Sequence, residues 1–157
     1  MTETKDKINP APAAGAGIKV LFLCIGNSCR SQIAEGWAKY LKRDSIEAYS
    51  AGICPSGLNS RAIRVMAEDG VDISTHTSKH FDELLGIDFD YVVTLCDKAR
   101  EQCPVFGCKT KQVHRAFEDP TLVVGSEEQI MAAFRMLRDD IRAFIETMPG
   151  SLRSQNC

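Results

Sequence analysis

A parallel β-sheet of about four strands with helices on both faces is the α/β architecture this sequence predicts. Two apolar runs, Ile18–Leu23 and Tyr91–Leu95, are continuous rather than alternating, as in strands buried on both faces. Between and after them lie segments with apolar residues at three- and four-residue spacing, the mark of amphipathic helices. Strand and helix patterns that alternate along one chain build a parallel sheet joined by helical crossovers. The chain has 157 residues, 44% of them hydrophobic, which is enough for one domain with a real core.

The elements follow in order. Residues 1–17 are polar and then rich in Pro, Ala and Gly, which predicts a flexible leader. A single catalytic domain is expected over 18–150 and a tail over 151–157. After the first strand, Ile33, Ala34, Trp37 and Leu41 predict a helix over about 29–43, and a short strand is expected around Ile46–Ser50. Asn59 can cap a second helix with Ile63, Met66 and Ala67 as its apolar face and Gly70 as its stop. Tyr91–Leu95 ends at Cys96, and a weaker strand is expected around Gln112–His114. In the last helix, Ser126 and Gln129 form a capping box, and Ile130, Phe134, Leu137, Ile141, Ile145 and Met148 form one stripe that Pro149-Gly150 ends.

Lys and Arg number 19 against 21 Asp and Glu, a net charge of −2, so nothing general draws the chain to nucleic acid or an anionic membrane. Any preference for anions must be local. No run reaches membrane-spanning length, and the first seventeen residues lack the apolar centre of a secretory signal, so a cytoplasmic protein is expected. Seven cysteines, an odd number, argue against a disulfide framework and for catalytic, redox or metal-binding thiols.

The run Cys24-Ile25-Gly26-Asn27-Ser28-Cys29-Arg30-Ser31 stands where the first strand passes into the first helix. Gly26 and Asn27 suit a tight turn. The backbone amides of Ile25, Gly26, Asn27, Ser28, Cys29 and Arg30 can then turn inward on a tetrahedral oxyanion, aided by the positive end of the helix. Arg30 can clamp two oxygens with its planar fork. Cys24 sits at the centre as a nucleophile, which attacks as the thiolate, and Ser31 is placed to donate a hydrogen bond to it. The plainer alternative is a half-buried structural cysteine at a strand end.

Loops at the carboxyl ends of parallel strands share one edge, where ligands bind. Cys24 follows the first strand and Cys96 the third, so the two thiols meet at one mouth if those strands are neighbours. Cys103 lies seven positions beyond Cys96, across a polar segment. On a rigid helix the two would stand about 10 Å apart, whereas a disulfide needs Cα atoms within about 7 Å. Their oxidation therefore requires the segment to unwind, and Pro104 discourages helix beyond it. Two alternatives are unrelated core cysteines and a zinc site built from Cys96, Cys103, Cys108 and His114, of which only Cys103-x4-Cys108 has a usual spacing. Asp119, held extended by Pro120, could protonate an oxygen leaving the anion. His76, His80 and His114 are expected to be structural or solvated.

Over about residues 18 to 146 the chain resembles the thioredoxin-coupled arsenate reductases, which share the low-molecular-weight tyrosine phosphatase fold. The resemblance rests on Cys24-x5-Arg30-Ser31-Gln32, Tyr49-Ser50-Ala51-Gly52, Asp72-Ile73-Ser74, Val92-Val93-Thr94-Leu95-Cys96, Cys103-Pro104 and Asp119-Pro120. It implies arsenate as substrate, thioredoxin as partner and no cofactor. It also implies a relay: Cys24 attacks arsenate held by the loop and Arg30, while Asp119 assists loss of an oxygen. Cys96 attacks Cys24 and arsenite departs, then Cys103 attacks Cys96 and leaves a disulfide for thioredoxin.

A phosphatase of the same fold is the rival, and it needs Cys24, Arg30, Ser31 and Asp119 but has no use for Cys96 and Cys103. Such phosphatases typically carry Ser-Pro after the loop arginine and aromatics after Asp-Pro; here Gln32 and Thr121-Leu122 stand in place of the proline and the aromatics, which suggests a small substrate. A non-enzymatic thiol or anion sensor is a third reading, against which Asp119 argues. Some relatives bind potassium near the loop through counterparts of Asn27, Glu35 and Ser50 and an aspartate; this chain has Lys79 at the aspartate's place, so its ammonium is expected to replace the ion. Arg115 and Ala116 replace an aromatic and a glycine before the acid loop, and Cys108 is an additional thiol that could compete as a resolving group.

Overall fold

The structure is a computed structural model that describes residues 17–154. The expected leader, apart from Gly17, and Cys157 lie outside the described residues.

Four strands form one sheet: β1 (Ile18–Cys24), β2 (Ile46–Gly52), β3 (Tyr91–Thr94) and β4 (Lys111–His114). Their order is β2-β1-β3-β4, and every pairing is parallel. The expected small parallel sheet with helices on both faces is what the chain forms. Its centre is β1, whose Val20, Leu21, Phe22 and Leu23 are fully buried. The continuous apolar run thus has its predicted cause, since neither face of this strand meets water.

The helices are α1 (Arg30–Leu41), α2 (Ser60–Glu68), α3 (Asp97–Glu101), α4 (Glu127–Glu146) and α5 (Gly150–Ser154). Helices α1, α2 and α4 pack on one another. Ile33, Ala34 and Trp37 of α1 are fully buried, and the Trp37 indole N–H donates to the Arg138 carbonyl at 3.1 Å, which satisfies its one polar atom. The Ser126–Gln129 capping box of α4 forms in both directions. The α4 stripe is wider than the sequence pattern indicates, taking in Met131, Phe144 and Arg138. Arg138 is tolerated there because Val65 O, Glu68, Asp69 and Asp139 surround its guanidinium at 2.9–3.1 Å.

Two details differ from expectation. Asn59 caps α2, accepting from the Arg61 and Ala62 amides, but the buried face is Ala62, Val65 and Met66, while Ala67 is exposed. The face toward α1 and α4 is thus rotated from the one that the larger side chains suggest. Beyond Pro149, where the sequence predicts only a tail, α5 forms and buries Leu152 completely. No helix among the described residues is long and apolar enough to cross a membrane.

Candidate active site

The loop between β1 and α1 is shaped by the segment that follows β2. The carbonyls of Cys24, Ile25, Gly26 and Ser28 accept from the backbone N–H groups of Ile53, Cys54, Ser56 and Asn59 at 2.8–3.1 Å. The loop and this segment together line a cavity of about 520 Å³. Asn27 has φ of 48°, the left-handed conformation that reverses the chain within the loop. Gly52, paired with Cys24 in the sheet, is required at close range: a Cβ there would lie 2.5 Å from the Ile25 carbonyl oxygen.

Of the residues expected in the anion loop, Cys24, Ile25, Gly26, Ser28, Cys29 and Arg30 line this cavity, and Asp119 faces them from the loop after β4. Asn27 is fully buried beneath it. The polarity of its side chain follows from the Lys79 backbone N–H, an unambiguous donor, which reaches Asn27 Oδ1 at 2.9 Å. Asn27 Nδ2 must then be the donor to Ser31 Oγ at 2.8 Å and to Ser50 Oγ at 2.9 Å. Ser31 Oγ lies 2.9 Å from Cys24 Sγ and keeps a lone pair and its own proton, so it can donate to a Cys24 thiolate or accept from the thiol. Ser50 passes its proton to Glu35 at 2.5 Å, and Lys39 pairs with the same carboxylate. Sequence spacing suggests Ser31 as a donor; the chain that orients it, through Asn27 and Gln32, comes from tertiary structure.

Gln32 completes the support. Its Nε2 donates to the Asn27 carbonyl, Asn27 Oδ1 and the Thr77 carbonyl, all at 3.1 Å. Its Oε1 therefore accepts, and His76 Nδ1 at 2.9 Å carries the proton. Burial holds the His76 imidazole below its ordinary value of 6.5, with Lys39 and Lys79 pressing the same way and Glu35 and Asp72 opposing.

Arg30 reaches the Phe117 carbonyl at 3.2 Å and Asp119 Oδ2 at 3.6 Å. The other Asp119 oxygen accepts from Thr121 N–H at 2.9 Å and Thr121 Oγ1 at 2.6 Å. Arginine and acid are thus held against each other at the cavity wall. The second loop thiol, Cys29, is pushed up to about 11, chiefly by burial, so it stays protonated near neutrality and is no rival nucleophile.

Strands β1 and β3 are neighbours, so Cys96 emerges at the same sheet edge as Cys24. It does not line the cavity, and neither does Cys103. Cys96 is the N-cap of α3, its sulfur accepting from the Ala99 amide at 3.4 Å. Cys103 is half-buried two residues beyond that helix, and burial pushes its thiol up to about 11. Cys108 is exposed on the turn before β4. The thiol that does line the cavity unforeseen is Cys54, which no spacing in the sequence ties to Cys24.

Lys79 Nζ donates to the carbonyls of Ser50 at 3.2 Å and Thr77 at 2.9 Å, next to Glu35 and Asn27. An ammonium already supplies the positive charge there, so these residues do not fit a potassium ion. Among the described residues no group of three or more His, Cys, Asp or Glu could hold a metal ion. His114, one of the four conceivable zinc ligands, bonds to Thr94 and Asp97.

Known proteins are similar to this chain in sequence and in fold. The model of the low molecular weight phosphotyrosine protein phosphatase family matches residues 19–154. An arsenate reductase of Bacillus subtilis strain 168 is 46% identical over 132 residues, covering 82% of this chain and 95% of that protein. One of Halalkalibacterium halodurans is 45% identical over 128 residues, covering 82% and 92%. A solved structure of an arsenate reductase in a phosphate-binding state matches with a TM-score of 0.65 and 32% identity, over 85% of this chain and 98% of that one. The chain belongs to the low molecular weight phosphotyrosine protein phosphatase family and is closely related to its arsenate reductases.

His76 gives the site a pH signature. With its folded pKa depressed, the unfolded chain takes up a proton first as pH falls below about 6.5. The stability His76 confers is complete above that pH and is lost as pH falls toward the depressed folded value. Urea midpoints measured from pH 7.5 to 5 are expected to fall less steeply in His76→Gln than in the wild type; equal slopes would show that His76 does not contribute.

Proposed function

We propose that this family member is a thioredoxin-linked arsenate reductase that works by a relay of three thiols. The observation that carries the reading is the combination of a thiol in an anion cradle with two further thiols beyond the neighbouring strand. Hydrolysis of a phosphate ester would use the cradle, Arg30 and Asp119 alone.

The electron count favours the same chemistry. Cys24 thiolate attacks arsenic(V), and an As–O bond breaks, with Asp119 delivering the proton to the departing oxygen. Arg30 and the loop amides hold the remaining oxygens. Cys96 thiolate then attacks the Cys24 sulfur: an S–S bond forms, the S–As bond breaks, and its electron pair stays on arsenic, which leaves as arsenite. Two thiols have given two electrons. Phosphorus(V) in the same adduct cannot accept that pair and leaves only when water attacks it. Cys103 attacks Cys96, releasing Cys24, and thioredoxin reduces the Cys96–Cys103 disulfide. Cys96 lies outside the cavity, so the segment after β3 has to move toward Cys24 in the second step.

The test is arsenate-dependent NADPH oxidation with thioredoxin and its reductase. Wild-type turnover is expected, with loss of at least about 100-fold in Cys103→Ser, since the relay then stops after one cycle. No turnover together with hydrolysis of an aryl phosphate would make the chain a phosphatase. Cys24→Ser is expected to abolish both activities and Cys96→Ser only arsenate turnover; a folded Cys96→Ser protein that loses both would contradict the division of roles.

The Lys79 ammonium carries a second expectation. Exchanging sodium for potassium at constant ionic strength should leave arsenate turnover unchanged, because the carbonyls of Ser50 and Thr77 already have their cation. A several-fold activation by potassium would refute that role.

A further inference from the structure

We propose that Thr94, His114 and Asp97 form a latch that holds α3 folded and so sets the redox potential of the Cys96–Cys103 pair. This rests on the relay reading, because it concerns the step in which those two thiols join.

The geometry begins with the length of α3. It has five residues, too few to persist without outside support. It lies between the two thiols, spanned by the bonds Arg100 N–H to Cys96 O at 3.1 Å and Gln102 N–H to Lys98 O at 3.0 Å. One strut ties its first turn to the sheet. Thr94 and His114 are register partners at the ends of β3 and β4. The His114 ring lies between Thr94 Oγ1, 2.8 Å from Nδ1, and Asp97 Oδ1, 2.9 Å from Nε2. A carboxylate only accepts, so Nε2 carries a proton. The Thr94 hydroxyl lies against Nδ1 and also reaches the Val113 carbonyl at 3.4 Å, so the ring is held between strand and helix whichever of the two takes the hydroxyl proton. Arg100 also approaches Asp97, at 3.7 Å, but belongs to α3 itself and ties it to nothing else.

Joining Cys96 to Cys103 dismantles this arrangement. With five helical residues between them, Cys96 and Cys103 are kept apart along the helix axis, whereas a disulfide needs Cα atoms within about 7 Å. Cys96 Sγ must also leave the Ala99 amide that it caps. Whatever stabilises α3 therefore stabilises the dithiol over the disulfide and raises the potential. The latch slows the attack of Cys103 and makes the product disulfide easier for a thioredoxin dithiol to reduce. His114 and Asp97 act here as positioning residues.

The measurement is the equilibrium of the Cys96–Cys103 couple of the full chain against dithiothreitol redox buffers, in the wild type, Asp97→Ala, His114→Leu and the double variant. Each single change is expected to shift the equilibrium toward disulfide by roughly three- to tenfold, the stability a single hydrogen bond carries. Tenfold is about 30 mV more negative for two electrons. The double variant should shift no further than the larger single one, because either change opens the same strut. If His114→Leu fails to fold, Thr94→Val takes its place in the cycle. Unchanged potentials, or shifts that add in full, would overturn the latch while leaving the relay standing. Absence of any Cys96–Cys103 disulfide in the oxidised wild type would overturn the relay itself, and the latch with it.

Discussion

The shape of this site depends on four backbone carbonyls being held by a neighbouring segment. The residues after β2 donate their amides to the carbonyls of Cys24, Ile25, Gly26 and Ser28. Without those partners the loop would relax, as it would in an isolated peptide. The sheet prevents it: β2 lies beside β1 with Gly52 against Cys24, and the segment 53–59 continues along the loop from there. The shape of the loop is thus a product of strand pairing.

Beneath the loop a chain of buried hydrogen bonds reaches Cys24. It starts from the Lys79 amide, passes through Asn27 to Ser31 and ends on Cys24. Its side branches end on Glu35 and His76, both shielded from water. The polarity is settled as far as Ser31, because the Lys79 amide fixes which way the Asn27 side chain faces. The same logic governs the second half of the proposed cycle at the far side of β3, where Cys96 caps a helix that must be undone before its sulfur can be used. The loop is tied to its neighbouring segment by four backbone bonds, whereas α3 is only five residues long.

Much of the fold was legible in the sequence, for physical reasons. A strand buried on both faces has to be apolar throughout, so Ile18–Leu23 announced the centre of the sheet. Asn59 and the Ser126–Gln129 pair announced two helix starts, since capping chemistry is local. The tight turn between β1 and α1 was legible too, because Gly26 and Asn27 suit one, and Asn27 takes φ of 48° there. What stayed hidden depended on distant partners. Arg138 reads as a surface charge until Glu68 and Asp69 are folded against it. Ala67 reads as an apolar-face residue although α2 turns it to solvent, and α5 begins where Pro149-Gly150 reads as an ending. Cys54 at the cavity and the His114 strut to Asp97 join segments whose separation in sequence carries no signal.

The central claim is that two electrons leave through sulfur rather than a phosphate leaving through water. The direct measurement is a single turnover: reduced protein mixed with equimolar arsenate without thioredoxin, arsenite quantified, and the lost thiols located by mass spectrometry after alkylation. The account predicts close to one arsenite per chain, with Cys96 and Cys103 joined and Cys24 returned to the free thiol. Arsenite formed with Cys24 still oxidised would contradict the order of the relay, and no arsenite at all would contradict the reaction.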